Sequence, residues 1–115
     1  MPPEAVVACG MRVLFVCSRN RLRSPTAERV FSEASGVQTL SAGTAPDADV
    51  RVSLDLIEWT DWIVCMEPRH ARAIRRDFGP HVAGVEITTL GIPDDYAFMD
   101  PALVDLLRQR LAGRL

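Results

Sequence analysis

Four short strand-like runs constrain this chain more than anything else in it: MRVLFVC (11–17), VQTLSAG (37–43), DWIVCM (61–66) and VEITTL (85–90). Each is followed by a stretch with helical spacing. The first is continuously apolar, as suits a strand buried on both faces. SPTAERVFSEAS (24–35) reads as helix, with Ser24 able to cap, Pro25 suited to the first helical position and Gly36 as a stop. VSLDLIEW (52–59) places Val52, Leu56 and Trp59 on one stripe. PRHARAIRRDF (68–78) opens on a proline and ends before Gly79-Pro80. PALVDLLRQRL (101–111) follows an Asp100 cap and carries Leu103, Leu107 and Leu111 as its core stripe. Strands alternating with helices predict a parallel sheet covered on both faces, a three-layer α/β/α domain with four strands. The domain is expected over residues 11–115, behind a loose leader at 1–10. Ligands of such sheets bind beyond the carboxyl ends of the strands, and Cys17 stands at one of those ends.

Composition narrows the chemistry. With 115 residues the chain has room for one hydrophobic core. Net charge is −2, so nothing global points to nucleic acid or an anionic membrane. All 13 basic residues are arginine. The lack of lysine excludes a Walker-type phosphate lysine, a Schiff base and a lysine general base. No apolar run is long enough to span a bilayer. MPPEAVVACG lacks the basic start and long apolar core of a signal peptide. A cytoplasmic home, where thiols stay reduced, is therefore expected. Cys9, Cys17 and Cys65 fit no CxxC spacing, and His70 and His81 lie near no cysteine cluster, so no metal site is expected. Cys65 reads as a core residue, and both histidines read as surface. The basic run RHARAIRR (69–76) reads as a solvated helix face.

The segment VLFVCSRNRLRSP (13–25) passes from strand into helix through Cys17, with Arg19, Arg21 and Arg23 crowded behind it. A loop so placed can aim several backbone N–H groups at one point, and the following helix N-terminus adds about half a positive charge. Both effects favour an anion, and both favour thiolate over thiol. Arg23 supplies a planar fork matched to phosphate oxygens. The five residues between Cys17 and Arg23 suit a wrap around a tetrahedral oxyanion.

In these residues the chain resembles the low-molecular-weight protein tyrosine phosphatases, whose signature is C-x5-R-[ST] after the first strand. VLFVCSRNRLRSPTAE carries the match, with Asn20 at the family's asparagine and Ser24-Pro25 at its Ser-Pro. SAGT (41–44), DWIVCM and IPDDY (92–96) resemble further family segments. The resemblance implies that family's fold and a phosphoester hydrolase working through a phosphocysteine on Cys17. It implies phosphate binding by the loop from Ser18 through Arg19, Asn20, Arg21 and Leu22 to Arg23. Ser24 would hydrogen-bond the Cys17 sulfur, and Asn20 and Ser41 would brace the loop. Asp94, after Ile92-Pro93, would be general acid and then base. No cofactor is implied. The partner is a phosphorylated substrate, either a phosphotyrosine protein or a small phosphoester.

The chain also departs from that pattern. It is shorter than the family's usual length, and the residues missing after SAGT include the aromatic side chain that faces a substrate ring. Tyr96 is the replacement expected in the substrate pocket, ahead of Phe98. Arg19 and Arg21 stand where the family has small or apolar residues, and they point either to a polyanionic partner or into water. Asp95 stands in place of the family's proline, which leaves Asp94, Asp95 and Asp100 as candidate acids, with Asp100 also read as a helix cap. Glu67 either reaches the site edge or serves the next helix's N-terminus. Two rival readings follow: a module that binds a phosphorylated ligand without turnover, and an arsenate reductase, which would need further paired cysteines.

Overall fold

The computed structural model describes residues 10–34 and 36–115, so the expected leader lies almost wholly outside the described residues. Strand β1 (Met11–Cys17) leads through a loop into helix α1 (Arg23–Phe31) and strand β2 (Val37–Gly43). Helix α2 (Leu54–Trp59), strand β3 (Trp62–Cys65) and helix α3 (Pro68–Phe78) follow. A 3-10 turn (Gly79–Val82), strand β4 (Glu86–Thr89) and helix α4 (Pro101–Arg110) complete the chain. The four strands form one sheet in the order β2-β1-β3-β4, and every pairing is parallel. This is the α/β architecture expected from the alternation of runs.

Alternation along the strands decides what each face meets. Val13, Phe15 and Cys17 of β1 join Trp62 and Val64 of β3 on one face. There Ala27 and Phe31 of α1 and the Leu103, Leu107 and Leu111 stripe cover them. Leu14, Val16, Ile63 and Cys65 face the other way, under Ile57 of α2 and Ala71 and Ile74 of α3. Burying each leucine of the α4 stripe contributes about 1.5–3 kcal/mol, which is why a ten-residue helix stays docked at the end of the chain.

Two helices differ from expectation. Helix α1 starts at Arg23 with Leu22 as its N-cap, so Ser24 is inside the first turn and is not the cap. Its hydroxyl is turned to Cys17 and the Ala42 carbonyl instead. The helix also ends at Phe31, short of the expected Ser35; the chain must reach Val37, which pairs with Met11, and Gly36 makes the turn at φ 74°. In α2 it is Ile57, not Trp59, that is fully buried; Ser53 caps the helix by accepting the Leu56 N–H.

The strand order puts the site in one place. Chain connections leave β1 towards β2 on one side, and β3 lies on the other side of β1. The carboxyl ends of β1 and β3 therefore flank the switch point of the sheet, where a crevice opens. Cys17 ends β1, and Glu67 follows β3 by two residues.

Candidate active site

The loop from Ser18 to Leu22 is fastened to the end of β2. Thr44 N–H donates to the Cys17 carbonyl at 3.0 Å, Ala45 N–H to that of Ser18 at 2.8 Å, and Asp49 N–H to that of Arg19 at 3.1 Å. Gly43, opposite Cys17 in the sheet, permits this: a Cβ there would collide with the Ser18 carbonyl oxygen and lie 2.9 Å from the Asn20 nitrogen. Asn20 turns the loop with φ at 57°, a left-handed conformation that asparagine tolerates better than most residues. Its buried side-chain amide donates to Ser24 Oγ at 3.0 Å and Ser41 Oγ at 2.9 Å, and Ser41 in turn donates to Glu28. The loop thus brings Asn20, Ser24 and Ser41 together.

Cys17 is the focus of this loop. Its Sγ lies 3.0 Å from Ser24 Oγ and accepts the Asn20 N–H at 3.3 Å. Among the described residues, the N–H groups of Ser18, Arg19, Arg21 and Leu22 have no backbone acceptor. A cavity of about 250 Å3 opens over the loop. The loop from Cys17 to Arg23, apart from Asn20, and Asp94 of the segment after β4 line it.

Arg23 is fully buried and held from two directions. Its Nη1 donates to Glu67 Oε1 at 2.6 Å and to the Ile92 carbonyl at 2.8 Å. The Nε–Nη2 edge remains for a bidentate partner. Asp94 Oδ1 lies 3.6 Å from that Nε, an ion pair too long for a hydrogen bond. The segment carrying Asp94 is anchored by Ile92, whose N–H donates to the Met66 carbonyl at 2.8 Å. Glu67 is therefore both the residue before α3 and part of the site edge. Burial opposes its charge, but hydrogen bonds from Arg23 and Arg69 outweigh that and bring its carboxyl down to about 2.

His70 corrects the expectation of two surface histidines: it is buried, whereas His81 is exposed. Its Nδ1 accepts the Glu67 N–H at 3.0 Å, which fixes the proton on Nε2, 3.0 Å from Ser18 Oγ. Burial, then the charges of Arg23 and Arg69, push its pKa down to about 4 against the opposing pull of Glu67 and Asp94. A neutral imidazole thus braces the residue beside Cys17. The pattern Glu67-x-x-His70 at a helix start was the available signal.

Other expected residues fall elsewhere. Tyr96 is not among the cavity's lining; it is half-buried against the cluster that contains Phe15 and Leu103. Phe98 is exposed and also outside the lining. Asp100 caps α4, its Oδ1 accepting the Ala102 N–H at 2.9 Å, and Asp95 is exposed outside the cavity. Cys65 is buried on the opposite face of the sheet from Cys17, with its thiol pushed up to about 12 by burial. The arginines of α3 at 69, 72, 75 and 76 are solvent-exposed, as expected.

A sulfur at a strand end, a turn of amides without backbone acceptors among the described residues, a buried arginine and a carboxylate meet at one small cavity on a doubly covered parallel sheet. Comparison with solved structures shows whose fold this is: that of the low-molecular-weight protein tyrosine phosphatases. The chain superposes on SP-PTP, the low molecular weight protein tyrosine phosphatase of Streptococcus pyogenes, with a TM-score of 0.73 at 16% identity, covering 91% of this chain and 93% of that one. It superposes on the YwlE arginine phosphatase of Geobacillus stearothermophilus with a TM-score of 0.72 at 21% identity, over 88% of each chain. The tyrosine phosphatase Wzb of Escherichia coli K30, in complex with phosphate, gives 0.69 at 23% identity over 88% of this chain and 93% of that one. No protein-family model matches the sequence, and no curated protein matches it at comparable stringency.

Proposed function

We propose that the protein is a cysteine-dependent phosphomonoester hydrolase. The observation that carries this reading is the environment of Cys17 Sγ, which faces a backbone N–H and a serine hydroxyl within a loop four of whose amides have no backbone acceptor among the described residues. In this mechanism a phosphate group enters the cup. The N–H groups of Ser18, Arg19, Arg21 and Leu22 and the Nε–Nη2 edge of Arg23 hold its three equatorial oxygens. The Cys17 thiolate attacks phosphorus in line while Asp94 protonates the leaving oxygen. Asp94, now ionised, takes a proton from water as that water attacks the phosphocysteine, and the thiolate leaves with Ser24 donating to it. Glu67 and the Ile92 carbonyl keep the guanidinium in place throughout. Asn20 and Ser41 hold the loop's shape, and neutral His70 holds Ser18.

The substrate on this reading is a phosphorylated protein or a small phosphoester, met in the cytoplasm; no helix among the described residues is long and apolar enough to cross a membrane. Residues 11–115 would act as a single catalytic domain. Support for turnover over simple binding comes from Asp94, which shares the cavity with Cys17. Cys65, buried on the far face, is poorly placed for the thiol relay of an arsenate reductase.

The test is hydrolysis of p-nitrophenyl phosphate by the wild type, Cys17→Ser and Asp94→Asn. Cys17→Ser is expected to lose activity completely. Asp94→Asn should lose at least about 100-fold on an alkyl phosphate, whose leaving group needs a proton, and much less on p-nitrophenyl phosphate. Activity surviving in Cys17→Ser would overturn covalent catalysis. Phosphate binding by a wild type that hydrolyses nothing would establish the binding module instead.

A further inference from the structure

The geometry points to a second anion subsite at the mouth of the Cys17 cavity, formed by Arg19 and Arg21, which selects non-aromatic phosphoesters carrying another phosphate or carboxylate a few bonds away. This inference rests on the reading of the Cys17 loop as a phosphate cup. The residues lining the cavity include three arginines and no aromatic residue. Tyr96 and Phe98, the rings nearest in sequence to Asp94, lie outside it. A phosphotyrosyl ring would therefore find little to stack against.

Arg23 is committed to the first phosphate. The loop is already fastened by main-chain bonds that the Ser18 and Arg19 carbonyls accept, so its hold does not depend on Arg19 and Arg21 alone. Their side chains instead rest on the loop after β2. Arg21 Nε donates to Asp49 Oδ1 at 3.2 Å and its Nη2 to the Asp47 carbonyl at 3.2 Å. Arg19 Nε is 3.8 Å from Asp47 Oδ2. These pairs are open to water, the arginine side chains being 63% and 46% exposed. Such pairs contribute little to stability, so an incoming anion can take their place at small cost. Meanwhile they tether the side chains of two residues that line the cavity, which reduces the ordering that binding would otherwise require.

The surrounding charges explain why selectivity must come from contact. Arg19, Arg21, Arg23 and Arg69 are paired with Asp47, Asp49, Glu67 and Asp94. The rim therefore has no large net field with which to gather anions indiscriminately. A ligand gains only if its second anionic group replaces Asp47 or Asp49 on an arginine fork, where a bidentate phosphate bond outweighs a solvated ion pair.

The test measures equilibrium binding to the full chain by calorimetry, with propylphosphonate, phenylphosphonate and 1,3-propanebisphosphonate as probes. The bisphosphonate is expected to bind at least about tenfold more tightly than either monophosphonate. In an Arg19→Gln/Arg21→Gln double variant that ratio should fall to within about twofold. Arg21→Lys keeps the charge without the fork and should lower the ratio below that of the wild type. Phenylphosphonate binding as tightly as the bisphosphonate, or an undiminished ratio in the double variant, would overturn the subsite while leaving the cup intact. If none of the three probes bound, the cup itself would fall, and with it the phosphatase reading.

Discussion

Lowering the pH below neutrality should weaken this fold through His70. In the native state Nδ1 accepts the Glu67 N–H, so a second ring proton would set two donors against each other. Ser18 and the Glu67 N–H touch the ring, and burial together with the charges of Arg23 and Arg69, against those of Glu67 and Asp94, brings its pKa down to about 4 from an ordinary 6.5. Between those values the unfolded chain binds a proton that the folded chain does not. Stability is therefore intact above 6.5 and is lost as the pH falls towards 4. The gap corresponds to about 3 kcal/mol in all, of which about 2 kcal/mol is gone by pH 5. That is a large share of the roughly 5–15 kcal/mol that stabilises a typical domain. Urea unfolding followed by tryptophan fluorescence at pH 7 and pH 5 measures the loss. His70→Asn keeps an acceptor for Glu67 but does not titrate, so its loss over the same interval should be smaller by about 2 kcal/mol. Equal losses in the two proteins would refute the reasoning.

Two further perturbations probe the loop itself. Asn20→Ala removes two buried hydrogen bonds and leaves a Cβ residue at positive φ, so it should cost about 2–4 kcal/mol in denaturant unfolding and lower kcat more than it raises KM. Gly43→Ala drives a methyl group into the Ser18 carbonyl and towards the Asn20 nitrogen, both main-chain atoms. It should lower hydrolysis of p-nitrophenyl phosphate at least about tenfold while the α4 core, remote from it, stays protected in hydrogen exchange.

Much of this molecule is legible in its sequence because apolar periodicity and burial are the same fact seen twice. β1, β2 and α3 begin and end where their runs do, and the leucine stripe of α4 is the stripe that packs. Spacing alone marks Cys17 and Arg23, with five residues between them at a strand-to-helix junction, whereas the loop contacts expected of Asn20, Ser24 and Ser41 come only from the family resemblance. What depends on distant parts of the chain is harder to see. His70 looks solvated amid arginines, yet the first turn of α3 lies over the end of β3 and beside Ser18, a neighbour 52 positions away. Ser24 is read both as a possible cap and, through the resemblance, as a partner of the sulfur, and the structure makes the second contact and not the first. Tyr96 resembles a pocket wall because it follows Asp94, but the apolar face beneath α4 offers its ring better cover. Arg19 and Arg21 have counterions across a loop that no periodicity marks.

Ser24 has one hydroxyl proton and two places to send it, the Cys17 sulfur at 3.0 Å and the Ala42 carbonyl at 3.3 Å, while Asn20 occupies its lone pair. On the proposed mechanism a negative sulfur would attract that proton strongly, and a phosphorylated one would yield it to strand β2. Each turnover would then swing a single rotor out and back, and the second strand would register, through one peptide oxygen, whether the sulfur is free or phosphorylated.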